Sequence, residues 1–544
     1  MASDYAKELV KRWRALAGGR STWLSHWDDL AKVQLPRRLG FATATVEGDK
    51  RTETLYDGTP MQAARGLANA IAGLMRPDGQ DWFFIKPVDD ALENSDEVKD
   101  WLANAEQDLR AALFNPKARF RQAMGECDLD LVVFGTAVVF AGETPDLGRL
   151  IHQSIHLKDA VVVFGESGDP DGLFISHRYT LRNAAQKFKE ENLSEESRKK
   201  IAEKQIDDKI EVLHAILPRK EGRKDALLAK NLPYADIWLE VEACHEIQVG
   251  GFHEFPCIVP RFDTSSGEDY GRSPGMIALP DSNTAQAMGE TLLIAGQRAA
   301  SPPLLVPNDG AFNPINVVPD GLAYYDADLA RDMGRIPIEA LKSGENIPLT
   351  REMQTDIREQ IRTAFYRNVF NLPVDGPQMT AEEIRARKEE FIREIGPVFG
   401  RLETDTAPLI ERDFKIMLRA GAFAPIPEAL LGSSVRFEYE SPVKRIKEQI
   451  ELAIAQGLIV EAMGLAQAGF PDGMDRINLD AYFKYKLKVN NLPPSLFLTD
   501  DQVFKKQQAR AQQAQAAQEA AMLNEGANTM ANVMKAVPQQ QAAA

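Results

Sequence analysis

The chain has 544 residues, 44% of them hydrophobic and 26% charged, a balance that supports about three to five structural units and excludes a disordered or collagen-like polymer. Its 64 basic and 80 acidic residues give a formal net charge of -16, which excludes a protein that clamps duplex DNA through a broad basic face, since that mode needs many cationic contacts to phosphate. Three cysteines, Cys127, Cys244 and Cys257, are too few for a disulfide framework and suit a reducing compartment, so cytoplasmic synthesis is expected.

Met1 to Leu16 interleaves charges with apolar residues, and no signal peptide is expected there. The apolar windows Leu129 to Ala141 and Ile151 to Phe164 fall short of a membrane-spanning helix, so the expectation is a soluble chain. Met61, Ala64, Leu67, Ile71 and Leu74 recur at helical spacing, with Thr59 placed as N-cap, Pro60 in the first turn and Pro77 beyond the end. Trp82 to Ile85, Leu131 to Phe134 and Val161 to Phe164 are short apolar runs bounded by turn residues and predict buried strands. Val161 to His177 reads as a hairpin turning at Gly168 to Gly172, and a second hairpin is expected to turn at Gly250-Gly251. Between the hairpins, Leu193 to Lys204 predicts an exposed, highly charged helix.

Asp281 to Ala299 predicts a helix rich in small residues, able to pack closely or line something. Seven prolines between Pro302 and Pro348 deny long helices and predict a strand-and-loop insert. A returning helix follows from about Leu349 to Tyr366, then a Pro and Gly loop, Asn371 to Gln378. Thr380-Ala-Glu-Glu383 forms a capping box that opens a long helix, with a kink expected at Gly396-Pro397. Residues 443 to 467 and Ala481 to Lys488 read as helices, and the Ala- and Gln-rich stretch from Asp500 to Lys535 reads as a disordered tail or as a rod of roughly 50 Å held by copies of itself. No repeat with a period of about 20 to 50 residues is present.

Candidate chemistry is sparse. Cys244, His245, His253 and Cys257 suggest zinc by composition, but the pairs are mixed and irregular, and adjacent residues of a hairpin point to opposite faces, so hairpin core and surface is the better reading. Glu126, Asp128 and Asp130 would fan across about 200° of a helix, and an ordinary charged face is expected there. His152 and His156 are not accompanied by HExxH, no GxxxxGK with Ser or Thr exists, and no GxSxG elbow exists. The expectation is a non-enzyme, with no catalytic residue, metal or cofactor. Two alternatives stay open: a non-catalytic scaffold whose tail, residues 500 to 544, recruits partners, and a nucleic-acid hydrolase using the Glu126 to Asp130 carboxylates.

The order of segments resembles the portal protein, or head-to-tail connector, of short-tailed tailed bacteriophages. The segments that carry the resemblance are Leu55-Tyr-Asp-Gly-Thr59 leading into Gly66 to Leu74 and Trp82-Phe83, then Gly251 to Pro256 with Pro260-Arg-Phe262, then Tyr270-Gly-Arg-Ser-Pro-Gly275 and Ala278-Leu-Pro280. The resemblance implies an α+β, mainly helical subunit. Residues 1–273 would be a mixed wing, 274–300 and 349–366 two stem helices, 301–348 a clip, 367–379 a channel loop, 380–421 a long kinked wing helix, 422–499 a crown and 500–544 a helical barrel or tail.

By the same resemblance the protein would form a homo-oligomeric ring, usually a dodecamer, at the portal vertex of the virion capsid. It would be a conduit for double-stranded DNA in packaging and ejection, with the terminase large subunit, major capsid and scaffolding proteins, a tail adaptor and internal ejection proteins as partners. Arg367, Asn368, Asn371, Asp375 and Gln378 would lie near the channel. An acidic total charge suits a conduit, because each strong phosphate contact would be a well from which moving DNA must climb.

Overall fold

The computed structural model describes residues 4–42, 48–77, 81–89, 95–144, 150–166, 168–224, 228–300, 347–367, 381–440, 442–467 and 477–489, with a few isolated positions besides. The chain divides into Met1–Ile446 and Lys447–Ala544.

In the first unit, α1 (Asp4–Gly19) and α2 (Ser21–Gln34) lead to α3 (Thr59–Met75). Then come β1 (Phe83–Pro87), α4 (Asp96–Leu113) and α5 (Phe120–Phe134). Eight strands follow, interrupted by two helices: β2 (Val138–Glu143), β3 (Leu150–Ile155), β4 (Ala160–Phe164), β5 (Pro170–Thr180), α6 (Leu181–Phe188), α7 (Glu195–Ala202), β6 (Lys209–Pro218), β7 (Tyr234–Glu240), β8 (His245–Phe252) and β9 (Cys257–Ile258). The remainder is α8 (Pro274–Ile277), α9 (Leu279–Ala300), a short antiparallel pair β10 (Leu304–Leu305) and β11 (Glu339–Ala340), α10 (Ile347–Ala364), α11 (Ala381–Arg419) and β12 (Val435–Tyr439). Helices and sheet mix as expected of an α+β subunit.

Strands β4 to β8 form an antiparallel meander in chain order. Because side chains alternate across a strand, Leu213, Ala215 and Leu217 of β6 meet Leu9 and Val10 of α1 on one face. On the other face Ile210 and Val212 meet Leu181, Ala184 and Phe188 of α6. The Arg20 guanidinium, buried at the α1–α2 bend, donates to the carbonyls of Leu157, Lys158 and Ala160 and so fastens the two helices to the link between β3 and β4. A larger core gathers α2 to α5, the β3-β2-β9 sheet and the second half of α11. Strand β1 pairs antiparallel with β12, from Phe83 opposite Tyr439 to Pro87 opposite Val435.

Three expectations need correction. Leu131 to Phe134 is not a strand but the last turn of α5; a four-residue apolar run cannot distinguish a buried strand from the end of a buried helix. Gly135, at φ +77, ends that helix in the left-handed region. The second hairpin turns at Val241 to Cys244, whereas Gly250 and Gly251 lie inside β8 opposite Asp236 and Ala235. Gly251 is needed because the Ala229 carbonyl passes where a Cβ would stand. The expectation about apolar windows misses Lys447–Ala466, which is long and apolar enough by length and composition to cross a membrane.

That segment belongs to the second unit, with α12 (Pro442–Gln467) beginning just before it and α13 (Leu479–Val489) following. Tyr485 Oη donates to Glu451 Oε2 at 2.9 Å, and Leu452 and Ala462 are buried, while Ile454, Leu458, Val460, Met463 and Leu465 are exposed. Of the expected insert and tail, β10, β11, Asp332, Ile347, Pro348, Lys506, Gln508, Ala509, Arg510, Gln512 and Gln513 are described; the rest of both lies outside the described residues. Helix α11 continues through both Pro397 and Pro408, over about 58 Å at 1.5 Å per residue.

Candidate functional site

The segments that carried the resemblance are joints in the fold. At the first, Leu55 to Thr59 is clamped between α9 and α10. Gln286 Oε1 accepts from the backbone N–H of Tyr56 at 2.8 Å and of Asp57 at 2.9 Å, and Gln286 Nε2 donates to Asp57 O at 2.7 Å. Asp57 Oδ1 accepts from Thr59 N at 2.9 Å, so Asp57 serves the start of α3 where Thr59 was expected to cap it. Asp57 Oδ2 accepts from Arg358 Nε at 2.8 Å. Burial pushes the Asp57 carboxyl up, but the Thr59 and Arg358 contacts outweigh it and hold the group below its ordinary range. Tyr56 lies across α9 at Gly289, where a Cβ would come within 2.9 Å of Tyr56 Cβ. One carboxylate and one amide thus tie both long helices to the loop before α3.

The second joint is Tyr270 to Gly275. Ser273 Oγ accepts from Met276 N at 3.0 Å, capping α8, and donates to Val133 O at 2.7 Å. Gly135 and Gly271 pass backbone against backbone, and Gln34 Nε2 donates to Gly275 O at 2.7 Å.

The third joint runs along α11. Asp405 accepts from Arg261 N at 3.0 Å, and Arg401 donates to Phe262 O at 3.1 Å. Glu254 accepts from Arg412 at 3.2 Å and from Arg419 at 2.8 Å. Burial raises the Glu254 carboxyl, but the two arginines outweigh it and lower it overall.

The carboxylates of α5 are not the ordinary charged face expected. Asp128 and Asp130 are each 2% exposed. Asp128 pairs with Arg76, while Arg38 bridges Asp130 and Glu126, each at 3.0 Å. Burial pushes Asp130 up to about 6 against the pull of Arg38, and burial likewise raises Asp128 against Arg76. The sequence concealed this because the partners lie 52 and 92 residues away. Asp128 and Asp130 thus serve as internal ties.

Cys257 is buried in β9, Cys244 sits in the β7–β8 turn, and the rings of His245 and His253 face the carbonyls of Asn192 and Lys224. These four residues do not converge. Among the described residues no group of three or more His, Cys, Asp or Glu is arranged to hold a metal. Of the expected channel residues, Arg367 lies three residues past the end of α10, beside Gln62, Arg65, Gly66 and Asn69 of α3 around a cavity of about 340 Å³. Asn368, Asn371, Asp375 and Gln378 lie outside the described residues.

Residues 6–498 match the family described as bacteriophage head to tail connecting protein. A probable portal protein of Bordetella phage BPP-1 is 29% identical over 539 residues, covering 97% of this chain and 95% of that protein. A portal protein of Salmonella phage epsilon15 is 26% identical over 551 residues, covering 99% of this chain and 97% of the other. A chain from the neck of an empty gene transfer agent particle aligns over 78% of this chain and 95% of its own length at 14% identity, with a TM-score of 0.38, too low to carry an argument.

Proposed function

The chain belongs to the bacteriophage head to tail connecting protein family, its role is that of a structural head-to-tail connector, and from that premise we propose that twelve copies close into a ring at the portal vertex through which double-stranded DNA passes during packaging and ejection. The terminase large subunit docks on the ring during filling, major capsid and scaffolding proteins surround it, and a tail adaptor replaces the terminase afterwards; internal ejection proteins are further partners. Synthesis takes place in the host cytoplasm. Residues 1–273 form the wing, 274–300 and 349–366 the stem, 301–348 the clip, 367–379 the channel loop, 380–421 the return helix, 422–499 the crown, and 500–544 the barrel or tail. Arg367, Asn368, Asn371, Asp375 and Gln378 face the channel.

The observation that carries this reading is that Leu55 to Thr59 anchors α9 and α10 together on the wing through Asp57 and Gln286. A stem built to be crowded among its neighbours needs such fixed footing. A net charge of -16 keeps moving DNA from sticking. Negative-stain imaging of the purified protein tests the reading: rings of twelve around a central hole are expected, and monomers alone at micromolar concentration would overturn it.

A further inference from the structure

His152 of β3 and Asp413 of α11 form a fully buried pair, with both side chains 0% exposed. Asp413 Oδ2 lies 2.8 Å from His152 Nε2, and the Ala118 carbonyl lies 3.0 Å from His152 Nδ1. A carbonyl oxygen can only accept, so Nδ1 must carry a hydrogen. A carboxylate can also only accept, so Nε2 must carry one too, unless the carboxyl itself is protonated and donates to Nε2. In either arrangement the pair holds one proton more than a neutral imidazole beside a carboxylate. Without it, a ring lone pair would face an oxygen lone pair in a site with no exposure to solvent, an uncompensated buried contact.

The surroundings supply no substitute for that proton. Arg412, next on the same helix, is committed to Ala141 O and Glu254, and Glu254 is shared with Arg419. From β12, the Tyr439 hydroxyl donates to Ala407 O. From β9, the Cys257 thiol is raised by burial and stays neutral. Lys117, Arg119 and Arg121, flanking Ala118 and Phe120, are exposed. Asp413 Oδ1 is buried and has no partner among the described residues. Burial alone would favour a neutral imidazole, but the charge and hydrogen bond of Asp413, with the Ala118 carbonyl, outweigh it and hold His152 above its ordinary range.

We propose that one proton trapped between His152 and Asp413 clasps α11 to β3 and to the Pro116–Ala118 turn, and that its loss at alkaline pH opens this clasp. Because the folded group holds its proton more tightly than an unfolded histidine, the clasp is fully closed below the ordinary histidine value near 6.5 and is lost as pH rises through the folded value. The other ties along α11, Asp405 to Arg261 N, Arg401 to Phe262 O, and Arg412 and Arg419 to Glu254, do not run through this pair, so the opening is local.

Hydrogen exchange read by mass spectrometry on the full chain, from about pH 6 to pH 9.5 and corrected for intrinsic exchange, tests this. Peptides covering β3 and residues 408 to 419 lose up to about tenfold protection per pH unit between the ordinary histidine value near 6.5 and the folded value, and level off above it, while peptides from β5 to β7 keep theirs. In Asp413→Asn the amide N–H donates to Nε2 of a neutral imidazole, the clasp closes without an added proton, and protection becomes independent of pH. His152→Gln retains a neutral donor toward Asp413 and gives the same flat profile. Flat protection in the unmodified protein, or wild-type pH dependence retained in Asp413→Asn, overturns the proposal.

Discussion

Replacing Asp57 by alanine removes two acceptor roles at once. The contact to Thr59 N resembles a helix cap, worth about 1 kcal/mol. The contact from Arg358 Nε is charge-assisted and worth about 1.5 to 3 kcal/mol when desolvated, but the Arg358 side chain is 37% exposed, which favours the lower figure. Gln354 Nε2, at 3.5 Å, adds little. The expected cost of Asp57→Ala is therefore about 2 to 3 kcal/mol, felt as local opening of α9 and α10. Arg358→Ala leaves the buried carboxylate without its cation and costs about 1.5 to 2 kcal/mol. The double variant should cost less than the sum of the two by about 1 kcal/mol or more, because both changes delete one interaction. Native-state hydrogen exchange at α9 and α10 measures these opening energies without requiring two-state unfolding of a chain this long. Costs that add to within about 0.4 kcal/mol, or an Asp57→Ala cost below about 0.5 kcal/mol, would refute the assignment of Asp57 as the tie.

Burial raises Glu106 to about 7, against the hydrogen bond from Ile85 N and the charge of Arg110. Its raised value means that the stabilising protonated form is lost as pH rises from the usual carboxylate range through about 7, so Glu106→Gln should match the parent near pH 5 and exceed it by about 1 to 2 kcal/mol at pH 8.5 in denaturant titrations. Gly135→Ala forces a Cβ against the backbone of Gly271 and Arg272 at a positive φ, and should cost more than about 3 kcal/mol or abolish soluble expression. Gly296→Ala, a helical glycine with nothing within 4 Å of the added methyl, should gain about 0.5 to 1 kcal/mol by thermal melting of the same preparation. Leu458→Glu with Val460→Glu alters only exposed apolar residues of α12; circular dichroism should be unchanged, while sedimentation velocity should show weakened self-association if copies cover that helix in the ring.

The long helices were legible because their apolar residues recur at helical spacing, as in Met61 to Leu74, where proline also marks the first turn; the capping box expected at Thr380 lies outside the described residues. The first hairpin was legible from Gly168 to Gly172. What misled was local ambiguity: Leu131 to Phe134 fits either a strand or a helix end, and Gly250-Gly251 signals close approach as readily as a turn. The joints were visible only as short segments of family likeness. Their physics needs partners far apart in sequence, such as Asp57 with Arg358, 301 residues on, and His152 with Asp413, 261 residues on. Solvation could not be read either. Asp128 and Asp130 look like surface carboxylates until the fold brings Arg76 and Arg38 onto them.

The pairing of β1 with β12 also sets an order of events at the ribosome. Phe83 to Pro87 is translated some 350 residues before Val435 to Tyr439, which at bacterial synthesis rates is roughly 20 to 70 seconds. Throughout that interval the nascent chain presents an unmated strand bearing Phe83 and Ile85, an invitation to aggregate until about four-fifths of the message has been read. Yield in a foreign host should therefore respond to chaperone supply and slower growth more than to any gain in the stability of the finished molecule.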